Sequence, residues 1–340
     1  MFRKGVGGKA PTPMMLGIDV SSCSLHSALC SQEAVAPKWR KQVQNNMAGI
    51  RELLAATPAD IPMVVEPTGR YSLLLVEQAR AAGRRVLLAP PRESHIYLKS
   101  FNPRGKTDAL DGRGLAWYGL THPLREYPVK SVTVDTLDQM LSARKGLAKA
   151  LSNLTLQAHS LPRAADVIAP SIQHLRQRIR EIDKQIAAQT KEHPEFGVAR
   201  NLQKVPGVGA VTAAAVTSRL CAKQFVHPDQ FVAYVGLDVA LNDSGKIKGR
   251  GRLSKHGDAE LRRLLFMCAK ANLRCKESPF KDQYQRERAK GLASTAALCA
   301  VARKIACVLW SMHKHNAVYD AARVSRRAKK EEEAPQQPGA

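Results

Sequence analysis

Four carboxylates stand where a folding chain tolerates charge least. Asp19 ends the apolar run that begins Met14-Met15-Leu16-Gly17-Ile18, and Glu66 ends Pro62-Met63-Val64-Val65. Asp108 and Asp111 sit three apart in Lys106-Thr107-Asp108-Ala109-Leu110-Asp111. A carboxylate at the end of a buried strand is costly unless it is solvated, paired or bound to a cation. Two aspartates at i, i+3 share one helix face, where like charges repel. A divalent metal resolves both problems, and ions held by acidic side chains are a recurring means of cutting phosphodiester bonds. The alternative for each is an ordinary cap or surface acid, with Thr107 or Asp108 opening the helix.

The rest of the chain is strongly basic. Its 340 residues carry 53 Lys and Arg against 29 Asp and Glu, a formal net charge of +24. Such a field selects a polyanion, most simply DNA or RNA. Seven cysteines (Cys23, Cys30, Cys221, Cys268, Cys275, Cys299 and Cys307) form no C-x-x-C pair, which argues against a zinc site. Their odd number and scatter suit reduced thiols in a cytoplasmic protein. No uninterrupted run of about 18 apolar residues marks a membrane span, and no apolar signal region follows Arg3 and Lys4.

Hydrophobic spacing divides the chain. Short strands are expected at 14–20, 25–30, 62–66 and 86–90, with helices over 47–56 and 72–82, the second closed by Gly83. A further helix carries Asp108 and Asp111 toward Tyr118. This alternation implies an α/β layer fold. From residue 137 onward, Leu147, Leu151, Leu154, Ala158 and Leu161 repeat at heptad spacing; Pro162 and Pro170 interrupt the pattern, and Ile172, Leu175, Ile179, Ile182 and Ile186 resume it. The two segments form either an antiparallel hairpin within one chain or the stalk of an oligomer.

A third region opens at Val205-Pro206-Gly207-Val208-Gly209, before an apolar segment over 210–220. Gly207 and Gly209 resemble the hairpin of helix-hairpin-helix DNA-binding units, in which exposed N–H groups hold a phosphate. A tight turn between helices is the plainer alternative. Arg250, Arg252 and Lys255 then surround Ser254 in a glycine-rich basic loop. Cations favour a serine alkoxide and balance phosphate oxygens, so Ser254 is a candidate nucleophile. It is also a candidate helix cap, although Gly257 rules out a capping box and Asp258 is an equal competitor. Helices follow around Leu261–Cys268 and over 294–313, and a charged tail follows Asp320.

Taken in order, these motifs resemble transposases of the bacterial insertion-sequence group IS110. The residues that carry the likeness are Gly17-Ile18-Asp19-Val20, Glu66-Pro67-Thr68-Gly69, Lys106 through Asp111, Val205 through Gly209, Phe231 through Leu237, Ser254-Lys255-His256-Gly257 and Leu261 through Leu265. The resemblance implies a RuvC-like (RNase H-type) α/β domain over 1–128 and a helical coiled-coil linker over 129–198. It further implies a mainly α transposase domain over 199–320; the tail over 321–340, Arg/Lys-rich, then acidic, then Pro/Gln/Gly, is expected to be disordered from its composition. The resemblance makes Asp19, Glu66, Asp108 and Asp111 ligands for Mg²⁺, and Ser254 the residue that bonds covalently to DNA through a 5′-phosphoserine. It implies donor and target DNA, a structured non-coding guide (bridge) RNA, a homo-oligomer (dimer or tetramer) and a nucleoid-associated bacterial setting. His256 departs from the family pattern, where an arginine is usual. Two other readings stay open: a RuvC-like hydrolytic junction nuclease, and a non-catalytic scaffold for RNA or DNA.

Overall fold

The computed structural model describes residues 13–67, 69–101, 108–128, 130–240 and 252–324. The chain divides into two compact units, Met1–Val129 and Lys130–Ala340.

The first unit is built on a five-stranded mixed sheet in the order β3-β2-β1-β4-β5. Strands β1 (Met14–Val20), β2 (Ser24–Ser31) and β3 (Ala34–Gln44) form an antiparallel meander. Strands β4 (Met63–Val65) and β5 (Val86–Leu88) run parallel to β1. Alternation along β1 decides the layers. Leu16, Ile18 and Val20 face a core shared with Ile50 and Leu53 of α1 (Met47–Ala55) and Leu75 and Ala79 of α2 (Leu73–Ala81). The opposite face carries Met15, Val64 and Leu87, packed by Leu115 and Tyr118 of α4 (Asp108–Thr121) and by Tyr97 and Leu98 of α3 (Pro91–Phe101). Gly83, with φ +72°, follows α2 as expected. This architecture is compatible with the RuvC-like expectation.

Three features depart from the sequence reading. Strand β3 was not expected, because Pro37 and the cations Lys38, Arg40 and Lys41 obscure its pattern; as an edge strand it tolerates both. Helix α3 begins at the second of two prolines, where a missing N–H costs nothing. In the second unit, Pro170 does not interrupt the heptad pattern but lies inside α6 (Ala165–Glu192).

Helix α6 packs against α5 (Val132–Ser160), and a single turn at Pro162–Ala164 joins them. The base of this pair is continuous with the following helices. Val134, Leu137, Leu141 and Ile186 share one core with α8 (Ala210–Ala222), α9 (Pro228–Val235), α10 (Ala259–Asn272) and α12 (Ser294–Lys314). Helices α7 (Ala199–Leu202) and α11 (Pro279–Ala289) complete the unit, with a two-stranded ribbon of β6 (Val239–Ala240) and β7 (Arg252–Leu253). By length and composition, and against expectation, α12 could cross a membrane. Its face of Leu298, Val301, Ile305 and Leu309 is instead buried in this core.

The closest approach between layers depends on two glycines. A Cβ on Gly17 would lie 2.1 Å from the Gly112 carbonyl oxygen and 2.2 Å from the Ala116 nitrogen. A Cβ on Gly112 would lie 2.6 Å from the His26 carbonyl oxygen. Gly146, in α5, has nothing within 4 Å of its added Cβ. The two kinds of site predict opposite signs. Gly17→Ala must push α4 off the sheet and destabilise the chain by about 1–3 kcal/mol, the usual cost of overpacking. Gly146→Ala should stabilise it by about 0.5–1 kcal/mol through backbone entropy alone. Urea unfolding of the two variants beside the parent checks both signs.

Candidate active site

The backbone brings Asp19 and Glu66 to equivalent positions. Ile18 and Val65 are the last pair of the parallel β1–β4 ladder, so Asp19 and Glu66 each follow immediately at its carboxyl end. By alternation both lie on the face that α4 covers. Asp19 also pairs directly with His26 of β2. Because Gly112 rests on the His26 carbonyl, the neighbouring Asp111 is delivered to the same corner of the sheet. Asp19, Glu66 and Asp111 are all half-buried. Ser94 of α3 donates a hydrogen bond to Glu66 Oε2 at 3.4 Å, and Ser24 lies 3.2 Å from His26 Nε2. Asp108 occupies the first position of α4; its side chain lies outside the described residues, as do Lys106 and Thr107.

Four carboxylates are hard oxygen donors of the kind Mg²⁺ prefers. The chemistry of these donors fits such an ion, and the backbone sets Asp19, Glu66 and Asp111 toward one end of the sheet. Among the described residues, no three His, Cys, Asp or Glu side chains are already gathered around one point.

Ser254 belongs to the second unit. Val239 pairs with Leu253 in the ribbon, so Asp238 and Ser254 are the next cross-strand pair, just beyond its ends. The Ser254 N–H donates to the Asp238 carbonyl at 2.9 Å, and the Ser254 hydroxyl donates to the Asp238 carboxylate. The hydroxyl oxygen accepts from His256 N–H at 3.3 Å. Lys255 then turns the chain with φ 53°, a left-handed conformation that is uncommon for a residue with a side chain. Gly257 is packed so closely that a Cβ would lie 2.1 Å from the Tyr234 carbonyl oxygen.

These contacts decide the capping question. Asp258 is the N-cap of α10, accepting from Leu261 N–H at 2.9 Å, so Ser254 is left without a capping role. Arg252 and Lys255 are exposed on either side of it, while Arg250 lies outside the described residues. Arg262 turns inward and donates to the Val235 carbonyl at 2.7 Å. The glycine turn plays a structural part as well. Gly207 has φ +77°, and a Cβ there would lie 2.6 Å from the Cys268 carbonyl oxygen, so the turn seats on α10. Gly209 is the exposed N-cap of α8, with no side chain bonding to the first N–H groups.

A further cluster braces the serine loop and was not visible in the sequence. Arg219 of α8 bonds to Asp258 Oδ2 at 3.0 Å and also pairs with Asp138 of α5, which Lys130 and Ser218 approach as well. The Asp258 carboxyl feels burial, which raises its pKa. Hydrogen bonds from the Leu261 N–H and the attraction of Arg219 outweigh that burial and hold it below its usual value.

Comparison with known proteins gives these features a context. Residues 16–164 match a family model described as a transposase of the DEDD type found in IS110 elements. Residues 199–285 match the transposase IS116/IS110/IS902 family. The chain belongs to the IS110 family of transposases. A probable family 20 transposase of Pseudomonas aeruginosa is 25% identical over 71% of this chain and 81% of its own length. The transposase for IS1328 of Yersinia enterocolitica is 24% identical over 91% of this chain and 99% of its own. An uncharacterized 42 kDa protein of element IS900 of Mycobacterium paratuberculosis is 24% identical over 91% and 98%. For an IS110-family transposase, activity on DNA follows, with cutting and rejoining as its chemistry.

The Asp258 linkage carries a sign. A carboxyl whose folded pKa is depressed contributes stability that is fully present above its unfolded pKa of about 3.9, and that stability is lost as pH falls through the folded value. Arg219→Met should therefore destabilise the chain at neutral pH by about 1–3 kcal/mol, the cost of leaving buried acceptors without their donor. The deficit should narrow as pH falls below the unfolded carboxyl value of about 3.9 and through the lower folded value of Asp258. Thermal unfolding of parent and variant at pH 7 and pH 3 measures it.

Proposed function

We propose that this transposase is an RNA-guided DNA recombinase, in which Ser254 is the nucleophile and Asp19, Glu66, Asp108 and Asp111 bind Mg²⁺. The observation that carries the serine half is its hydrogen bonding. Ser254 is excused from capping and half-exposed between two cations, and its hydroxyl proton is directed at a carboxylate. The convergence of strand ends and the α4 terminus supports the metal half.

Bound by Asp19, Glu66, Asp108 and Asp111, Mg²⁺ would supply charge neutralisation to a phosphodiester. The protein's own part begins at Ser254. Its oxygen attacks phosphorus, the bond to the 3′-oxygen breaks, and a 5′-phosphoserine link remains. That link stores the bond energy, so an incoming 3′-hydroxyl can reverse the step without ATP. Arg252, Lys255 and the adjacent Arg250 neutralise phosphate oxygens, and the net charge of +24 serves both DNA and a structured guide RNA. The half-covered heptad faces of α5 and α6 suit assembly into a homo-oligomer. Such a protein works in the bacterial cytoplasm, at the nucleoid.

The rival is a junction nuclease that uses metal-activated water. A covalent-adduct assay separates the two. The chain is expressed with its complete element and a target plasmid, lysed in SDS, and assayed for protein-bound DNA. Parent protein should yield an adduct, Ser254→Ala none. Recombination by both proteins without any adduct would favour water or a direct 3′-hydroxyl attack. Asp108→Asn should abolish cleavage by at least about 100-fold while RNA binding in a filter assay stays near parent level; undiminished cleavage would remove Asp108 from the metal site.

A further inference from the structure

A serine hydroxyl is a weak nucleophile until something takes its proton. In most serine-dependent sites a neighbouring base does this, and that base is recognised by its hydrogen bond to the nucleophile. Four observations converge on one residue. Asp238 is the cross-strand neighbour of Ser254 at the open end of the β6–β7 ribbon. Its carbonyl holds the Ser254 N–H at 2.9 Å, which fixes the two backbones. Its carboxylate accepts the hydroxyl proton itself. The hydroxyl oxygen meanwhile accepts from the His256 N–H, so the one remaining rotor of the serine is pinned toward Asp238.

Asp238's choice of partner is informative. Arg252 and Lys255 lie within two residues of Ser254, and Arg262 lies in the next helix. Among the described residues, Asp238 nevertheless makes no ion pair, and its carboxylate spends its hydrogen bond on a neutral hydroxyl. The surrounding backbone is built to hold this arrangement. Gly236, with φ +76°, ends α9 two residues before Asp238. On the other side of the serine, Asp258 N–H bonds to the Tyr234 carbonyl at 2.9 Å. The end of α9 therefore grips the serine loop on both flanks, and Asp238 stands at the grip.

We propose that Asp238 is the catalytic base of Ser254, a role that rests on the serine-nucleophile reading above. As the Ser254 oxygen bonds to phosphorus, its proton passes to Asp238 Oδ1. The phosphorus–O3′ bond breaks, and the departing 3′-oxygen takes a proton from water. In the rejoining step an incoming 3′-hydroxyl attacks the phosphoserine and releases its proton to water. The phosphorus–serine bond breaks, and the serine oxygen recovers its proton from Asp238. One proton is stored for the life of the adduct, and no oxidant or co-reactant is needed.

The test measures adduct formation by full-length protein with its complete element, comparing parent, Ser254→Ala, Asp238→Asn, Asp238→Ala and Asp238→Glu. Asp238→Asn keeps the shape of the side chain and an acceptor for the serine hydroxyl, but it cannot take a proton; adduct formation should fall by about 10²–10⁴-fold, the usual contribution of a general base. Asp238→Glu should recover part of the loss. Formate or acetate, added as a diffusible carboxylate, should restore Asp238→Ala by tenfold or more and leave Ser254→Ala inactive. DNA binding and the thermal unfolding midpoint of Asp238→Asn should match the parent. Adduct formation by Asp238→Asn within about threefold of the parent would overturn the base while leaving the serine nucleophile intact. Loss in both variants with no response to formate, and with unfolding shifted, would make Asp238 a purely structural strut and also overturn it. Should Asp238→Ala fail to fold, the isosteric Asn variant decides the matter by its rate alone. Absence of any Ser254-dependent adduct in the parent would instead sink the serine reading itself, a distinct outcome.

Discussion

The contact between Gly17 and the backbone of α4 is the constraint on which the first unit depends. A helix ordinarily stands off a sheet by the depth of two side-chain layers. Here the strand has no side chain at Gly17, and the helix has none at Gly112. Backbone therefore meets backbone, and the first turn of α4 descends to the corner where β1 and β4 end. Asp19 and Glu66 come to that corner by the parallel register, and Asp111 by the glycine contact. On the proposed function, like charges brought near one another there would be relieved by a divalent cation.

The second unit solves a different problem, that of holding a loop still without burying it. If Ser254 attacks DNA as proposed, it must be reachable by a wide polymer, and it is in fact half-exposed. Its rigidity comes from below. Arg219 reaches from α8 to both the cap of α10 and Asp138 of α5, so the helix that begins the unit and the loop that carries the serine share one cation. Partly buried ion pairs of this kind cost desolvation and contribute little net stability, yet they fix geometry because breaking one leaves a charge without a partner. The left-handed Lys255 is a strained residue that persists because its flanks are tied to α9.

Much of this was legible from the residues, and the failures are physically ordered. Strands β1, β2, β4 and β5 follow from their apolar runs, and the helix bearing Asp111 from its spacing. The edge strand β3 escaped because edges accept proline and charge, the very residues that mark loops elsewhere. Pro170 was misread as a break because its position within a helix depends on where the helix starts, which spacing does not reveal. The capping of α10 could not be decided between Ser254 and Asp258 until the Leu261 N–H was seen to choose Asp258. Asp238 and the Arg219 cluster were missed altogether. A faint signal existed: Asp238 is an acid at the edge of a long basic segment, one residue past the motif that ends at Leu237. Only the ribbon register turns that proximity into a partnership with Ser254.

On the proposed function the two sites have opposite electrostatic needs, which gives a reason for housing them on separate units. Carboxylates that bind a cation repel a phosphodiester until the cation arrives. A serine flanked by arginine and lysine attracts the phosphodiester from the start, but those cations cannot take up its proton. Merging the two sets on one surface would pair the acids with the bases, and each would quench the other's purpose. Asp238 is the exception that the argument allows. It is a single carboxylate placed on the basic side that bonds to the Ser254 hydroxyl, while its carbonyl accepts the Ser254 N–H. On the proposed mechanism one acid suffices there, because the serine has one proton to lose.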